Sequence, residues 1–168
     1  MPLVDLKRFL ATPREREAIE GDFQLVASGV VLGPGSRRGA EKLPASGGCY
    51  FWTMDVDARR FKIYVGQTNS LKKRITDYSL DVQIHSPNDF KLRFFQEIAF
   101  DTYPGAQFNV HFMRLPDGER QNREKELIRR YDPLINRLRP PTQDDRALIL
   151  KGFREYYRAA FEHRCGDV

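Results

Sequence analysis

Three tyrosines are concentrated in one stretch of the chain, from Gly48 to Tyr78, where Tyr50, Tyr64 and Arg74 precede the last tyrosine. Two aromatic-rich segments carry the first two tyrosines, and a basic segment, SLKKRITDY, carries the arginine. A phenol with a pKa of about 10 is a poor base at neutral pH, unless nearby positive charge lowers that value. A guanidinium is such a charge and also binds anionic oxygens. Taken alone, each of these residues is explained as well by a structural role, a packed tyrosine or a solvated arginine, as by a functional one. The combination, however, is unusual for a purely structural hairpin.

Glu124 is a second candidate, on a helix predicted over 119–131. It stands at the head of an apolar stripe that continues through Leu127, Ile128 and Tyr131, and its i+4 neighbour is an isoleucine instead of a base. A carboxylate at the buried edge of a helix must be paired, hydrogen-bonded or metal-bound. Periodicity alone favours the plainer alternative, a boundary glutamate that reaches water.

Other site patterns are weaker. Two cysteines without a Cys-x-x-Cys spacing and three scattered histidines argue against a structural zinc site or a disulfide framework, and the histidines form no His-Asn-His finger. Asp89-Phe90-Lys91 comes nearest to a two-carboxylate restriction motif, but it falls on a predicted helix. Arg158 and His163 form an Arg-x4-His pair that we attribute to chance in so basic a chain.

The 168 residues are enough for one core with appendages, and the formal net charge is +5. This charge favours an anionic partner, first of all nucleic acid, about as strongly as it favours an ordinary basic protein. No segment has the pattern of a membrane span or a signal peptide. We therefore expect a cytoplasmic protein with no membrane and no small-molecule cofactor.

The elements that position these residues follow from periodicity and turn signals. Alternation places Tyr50 and Trp52 on one face of a first strand, and Arg74 and Tyr78 form an i, i+4 pair on a helix that begins at Asn69 or Ser70. The predicted elements are a short helix at 3–10, a strand within 23–32, a basic loop at 33–39, strands at 48–54 and 61–68, a helix from 88 or 89 to 101, a strand at 106–115, and helices at 119–131 and 144–163. The predicted organisation is an N-terminal extension (1–46), a central domain (47–138) and a C-terminal helix packed on the core (139–168).

Five sequence features resemble those of the GIY-YIG nuclease family in their order and spacing. They are Gly48-Cys49-Tyr50, Tyr64-Val65-Gly66, Arg74, Glu124 and Asn136. The resemblance covers residues 47–138. Cys49 and Val65 replace the usual isoleucines, which are packing positions. Tyr78 stands where many members have a histidine and some have a tyrosine.

The resemblance implies an α/β (α+β) fold with a three-stranded, mainly antiparallel sheet flanked by helices. It implies that Glu124 holds one Mg²⁺ or Mn²⁺ per active site, with waters completing the coordination shell. Arg74 would brace the scissile phosphate, Tyr50 would be the general base, and Tyr64 would orient the attacking water or the phosphate.

Four further positions have supporting roles in this picture. Tyr78 would hydrogen-bond within the same cluster, and Asn136 would tie the 119–131 helix to the hairpin. Gly48 and Gly66 would be structural positions at the site, where Gly66 lets backbone approach closely.

The implied function is a divalent-metal-dependent endonuclease that hydrolyses phosphodiester bonds in DNA, most simply a restriction-type enzyme that cuts both strands. The alternatives are a structure-specific or single-strand repair nuclease and a dormant nucleic-acid-binding module. Symmetric cutting of two strands would favour a homodimer, because one active site cuts one strand. The candidate phosphate contacts are Lys62, Lys72, Lys73, Arg37, Arg38, Arg59 and Arg60.

Overall fold

The computed structural model describes residues 19, 21–33, 42–57, 59–79, 92–93, 95–96, 99–100, 103–133 and 136. The elements within them are β1 (Gln24–Ala27), β2 (Gly48–Val56), β3 (Arg59–Thr68), α1 (Leu71–Ser79), β4 (Gln107–Arg114) and α2 (Asp117–Tyr131). The described residues between 92 and 100 are helical, as predicted. The helices predicted at 3–10 and 144–163, and most of the basic loop, lie outside the described residues. None of the helices in the described ranges is long and apolar enough to cross a bilayer.

The fold is α+β, with one antiparallel sheet in the order β1-β4-β2-β3 and helices against it. The sheet has four strands, so the prediction of three was wrong by one. The extra strand, β1, is four residues long and pairs with β4 through Gln24↔Phe112. Its residues are all exposed or half-buried, so they lack the alternation that would have assigned them to the sheet.

The β2–β3 hairpin was predicted, but its register contains a β-bulge. Trp52 pairs with Tyr64, whereas the next residue of β2, Thr53, pairs with Lys62. Ile63 is therefore an extra residue in β3, and every β3 side chain beyond it changes face relative to a regular ladder.

Each face of the sheet carries its own core. The larger core joins one face to α1 and to the helical residues between 92 and 100; its members include Tyr50, Trp52, Ile63, Tyr64, Leu71, Ile75, Tyr78, Leu92, Phe95, Phe108 and Val110. The smaller core lies between the opposite face and α2 and comprises Phe23, Cys49, Phe51, Val65, Met113, Leu127 and Tyr131. The strands thus separate α1 from α2, and the two helices can approach each other only at a sheet end.

The outer edge of β3 is closed by the side chain of Asn136. Its Oδ1 accepts a hydrogen bond from Val65 N, and its Nδ2 donates to Val65 O, both at 2.7 Å. One amide thereby satisfies both backbone groups of an edge residue, as a neighbouring strand would do.

We expect Asn136→Ala to lower the free energy of unfolding by about 1–3 kcal/mol, because it leaves both backbone groups of Val65 without this partner. The measurement is the urea midpoint, with Asn122→Ala on the exposed side of α2 as the control. A shift no larger than that of the control would show that water replaces the amide at no cost.

Candidate active site

One end of the sheet collects the residues singled out in the sequence. Gly48, the first residue of β2, pairs with Thr68 at the end of β3 and with Arg114 at the end of β4. Helix α1 begins three residues after Thr68. The beginning of one strand, the ends of two others and the first turns of α1 therefore meet in one place.

A hydrogen-bonded cluster of phenols and one guanidinium lies here. Tyr50 Oη is 2.9 Å from Tyr78 Oη, and Arg74 Nε donates to Tyr50 Oη at 3.3 Å. The Arg74 guanidinium carbon lies 4.7 Å from the centroid of the Tyr78 ring. The rings of Tyr50 and Tyr64 are 6.0 Å apart, centroid to centroid. The four predicted residues are thus within one contact network.

The bulge at Ile63 is what brings Tyr64 into this network. In an unbroken ladder, Tyr64 would pair with Phe51 and face the α2 layer. The extra residue pairs it with Trp52 instead, on the face that also carries Tyr50. Regular alternation along β3 gives no sign of this shift, and for this reason the sequence argument missed it.

Gly66 leaves the space that the phenol rings occupy. It pairs with Tyr50, and a Cβ built on it would collide with the Cζ and Oη atoms of Tyr50 and approach a Tyr64 ring carbon to 2.9 Å. The close approach that Gly66 permits is therefore that of aromatic side chains to the strand. Gly48 is similarly enclosed, by the Phe112 ring and Met113 O.

Burial raises the pKa values of all three phenols in this cluster. Desolvation raises the pKa of Tyr50, and the charge of Arg74 together with hydrogen bonds from Tyr78 and Arg74 only partly opposes it. The pKa values of Tyr64 and Tyr78 are raised as well, again chiefly by burial. Base catalysis by Tyr50 requires a lowered phenol pKa, whereas burial shifts the value in the opposite direction.

Glu124 reaches the same end of the sheet from α2, in the other layer. Its carboxylate accepts a hydrogen bond from the backbone N–H of Gln67, the penultimate residue of β3. Desolvation raises the pKa of this half-buried group, while the Gln67 hydrogen bond and the charges of Arg74 and Lys125 lower it. Burial outweighs these partners, so the ionised carboxylate is incompletely compensated.

Such a carboxylate suits a hard divalent cation. No group of three or more histidine, cysteine, aspartate or glutamate side chains occurs among the residues that the structure describes. Mg²⁺ commonly binds to one or two carboxylates and completes its shell with waters and substrate phosphates. The donor set around Glu124 fits that mode and does not fit an all-protein cage.

The candidate phosphate contacts fall into different regions. Lys72 and Lys73 are exposed on the first turn of α1, beside the cluster. Arg59 and Arg60 lie at the opposite end of the hairpin, about 20 Å from Gly66 at 3.3 Å per strand residue. Arg60 also forms a two-point ion pair with Asp55.

Lys62 is likewise away from the cluster. Its ammonium lies 4.7 Å from the centroid of the Tyr131 ring, on the α2 side of the sheet. It is therefore not placed to lower the pKa of Tyr50. Arg37 and Arg38 lie outside the described residues.

The backbone N–H groups at the start of α1 already have protein partners. Ser46 O accepts from Leu71 N at 3.2 Å, and Pro44 O accepts from Lys72 N at 2.9 Å. Ser70 Oγ accepts from Lys73 N at 3.4 Å, which confirms one of the two predicted N-cap positions. Any anion attracted to this end of α1 would be bound by lysine side chains and not by the helix terminus.

We expect Gly66→Ala to destabilise the protein by about 1–3 kcal/mol, because the added methyl group must displace the Tyr50 ring. Gly118→Ala in the first turn of α2 is the matched control, since a Cβ there meets nothing within 4 Å. Thermal unfolding measures both variants. Equal melting temperatures would contradict the close packing of Tyr50 on Gly66.

We expect Glu124→Gln to raise the melting temperature at neutral pH in a chelating buffer, because it removes an incompletely compensated charge. The folded-state pKa of Glu124 is raised, so its favourable contribution is complete below the unfolded value of about 4.3 and is lost as the pH rises through the folded value. The advantage of the variant should therefore vanish near pH 4. Glu126→Gln, at an exposed position paired with Arg123, should show no such gain.

No protein-family model matches the chain, and no curated protein matches it. Among solved structures, the chain is similar to the GIY-YIG N-terminal endonuclease domain of UvrC from Thermotoga maritima, a point mutant bound to the catalytic divalent cation. The identity is 20%, the match covers 59% of this chain and 91% of that chain, and the TM-score is 0.38. At this level the likeness decides nothing about activity, which has to be inferred from the site.

Proposed function

We propose that this chain is a divalent-metal-dependent endonuclease of the GIY-YIG type that hydrolyses phosphodiester bonds in DNA. The observation that carries the proposal is the convergence of two layers at one sheet end. Tyr50, Arg74 and Tyr78 form a hydrogen-bonded network there, and Glu124 extends to the same end with an incompletely compensated charge. Phosphodiester hydrolysis needs a group that binds the phosphate, groups that handle protons and a site for a cation.

Arg74 is the proposed phosphate-binding residue. Its Nε is engaged with Tyr50, and the guanidinium covers the Tyr78 ring, so these two phenols fix its orientation. A guanidinium held in this way loses little further freedom when it binds two oxygens of a phosphate. Its charge also opposes the rise in the pKa of Tyr50.

Tyr50 and Tyr78 are the proposed proton-handling pair. Their hydroxyls are 2.9 Å apart and either can donate, so a proton accepted by one has a neighbouring oxygen to share it. Both phenols have raised pKa values and are protonated at neutral pH. Tyr50 can therefore take a proton from the attacking water only once positive charge at the site has lowered its pKa. Tyr64, packed beside Tyr50, is proposed to orient the water or the phosphate.

Glu124 is the proposed ligand of one Mg²⁺ or Mn²⁺. The bound cation would supply positive charge that offsets the charge developing on the phosphate and lowers the pKa of nearby acids. The Gln67 N–H stabilises the ionised carboxylate and lowers its pKa, while the half-buried position keeps the group partly out of water.

Lys72 and Lys73 are the proposed contacts to the DNA backbone beside the scissile phosphate. Both are exposed on the turn of α1 that carries Arg74. Restriction-type cleavage of both strands, with a homodimer supplying two sites, is the finer form of the proposal that we favour.

We expect supercoiled plasmid to be nicked or linearised with Mg²⁺ or Mn²⁺ and left intact with a chelator. Glu124→Ala and Arg74→Ala should each lower the rate by at least about 100-fold, because each removes charge stabilisation that acts in the transition state. Tyr50→Phe should be similarly impaired while retaining the fold. Glu126→Ala, on the exposed side of the same helix, should cleave normally.

The same assay separates the alternatives. Discrete fragments from duplex DNA would indicate a restriction-type enzyme, and cutting confined to single strands or junctions would indicate a repair or processing nuclease. Binding of DNA without metal-dependent cleavage of any of these substrates would contradict the enzyme and leave a dormant binding module.

A further inference from the structure

A partly buried arginine, Arg120, joins α2 to the sheet one helical turn before Glu124. Its side chain is only 12% exposed, and its Nη1 donates to Thr68 O at 2.7 Å. The ion pair of its Nη2 with Asp117 is 3.0 Å long, but the aspartate is 91% exposed, so this pair contributes little. The backbone carbonyl is therefore the partner that fixes the guanidinium.

This contact and that of Glu124 fall on consecutive residues of β3. The N–H of Gln67 donates to the Glu124 carboxylate, and the carbonyl of Thr68 accepts from Arg120. Residues four apart on a helix lie on the same face, so the side chains of Arg120 and Glu124 both extend from α2 to the same short segment of β3. Both contacts tie α2 to the end of β3.

Gly47 provides the space that the guanidinium needs. A Cβ built on Gly47 would collide with Arg120 Nη1 and lie 3.2 Å from Thr68 O. The backbone of α2 is also held here, because Cys49 Sγ donates to Arg120 O at 3.6 Å. No motif in the sequence marks Arg120, which stands among the many bases of the 117–131 helix, and the glycine that leaves room for it, Gly47, lies 73 residues earlier in the chain.

We propose that Arg120 is the positioning residue of the cation site: its bond to Thr68 O holds α2 in the register that presents the Glu124 carboxylate to the phenol cluster. The proposal rests on the proposed function and identifies which residue makes the carboxylate available. Arg120 contacts neither a cation nor the phosphate in this scheme. Groups that orient a metal ligand in this way commonly change metal affinity by about 10–100-fold when removed.

The test compares wild type, Arg120→Gln and Arg129→Gln, an exposed arginine later on the same helix. The first readout is the Mg²⁺ concentration that gives half-maximal cleavage. The second is independent of activity: binding of Tb³⁺, a luminescent hard cation sensitised by Trp52 and the tyrosines, with Glu124→Gln as the reference for a lost site. We expect Arg120→Gln to weaken both by about 10-fold or more, with cleavage largely restored at saturating Mg²⁺. Arg129→Gln should match wild type in both.

Gly47→Ala is a second test of the same role, because it displaces the guanidinium while leaving Arg120 in the sequence. It is expected to weaken cation binding as Arg120→Gln does. Arg120→Lys keeps the charge and is expected to recover part of the affinity. Should Arg120→Gln fail to fold, these two variants decide the question. Folded variants with the metal dependence of wild type would overturn the proposal.

The two proposals fail in different ways. A wild type that binds Tb³⁺ through Glu124 but cleaves no DNA would contradict the nuclease and still test Arg120 through Tb³⁺ affinity. A wild type without Glu124-dependent Tb³⁺ binding would overturn the positioning role, since there would be no cation site to position.

Discussion

The one-residue insertion at Ile63 determines which side chains share the active face of the sheet. Before it, β3 pairs with β2 in one register, and after it the register is shifted by one, so that Tyr64 and Tyr50 lie on the same side. A strand has a side-chain period of two, so no smaller change could move Tyr64 between layers. Gly66 and α1 build on this arrangement: the glycine gives the two rings room, and the helix brings Arg74 and Tyr78 against them.

Removing this cluster from water costs free energy, and its protein partners offset only part of that desolvation penalty. Desolvation raises the pKa values of all three phenols and of Glu124, while Arg74 opposes the shift at each of them. A single guanidinium therefore serves four acidic groups. What remains incompletely compensated is the charge of the half-buried Glu124 carboxylate at this end of the sheet, which a divalent cation would offset.

The sequence was sufficient to predict the features that depend on local hydrophobic periodicity. It was not sufficient to predict those that depend on the pairing register of the strands. Strands β2 and β4, helices α1 and α2, and the Ser70 cap follow from alternation, helical spacing and capping chemistry. The bulge left no trace in FKIYVG, because Phe61, Ile63 and Val65 fit a regular alternation on one face, whereas the structure places Val65 in the core on the opposite face. Strand β1 was not assigned to the sheet because its side chains are largely exposed. Arg120 could not be distinguished from neighbouring bases, since its position depends on the space left by Gly47, 73 residues earlier in the chain.

The location of the site follows from the layering. Tyr50, Arg74 and Tyr78 belong to the α1 layer and Glu124 to the α2 layer, with a close-packed sheet between them. Side chains on opposite faces of a continuous sheet cannot meet through it, so a site that uses both helices has to lie where the strands stop. At this end, glycines occupy positions 47, 48 and 66, each filled by a neighbouring side chain or backbone atom. Because these glycines have no side chains, the two layers can converge here. For the same reason, a methyl group added at any of the three positions would collide with its neighbours. A substitution there would therefore both destabilise this region and displace residues of the site.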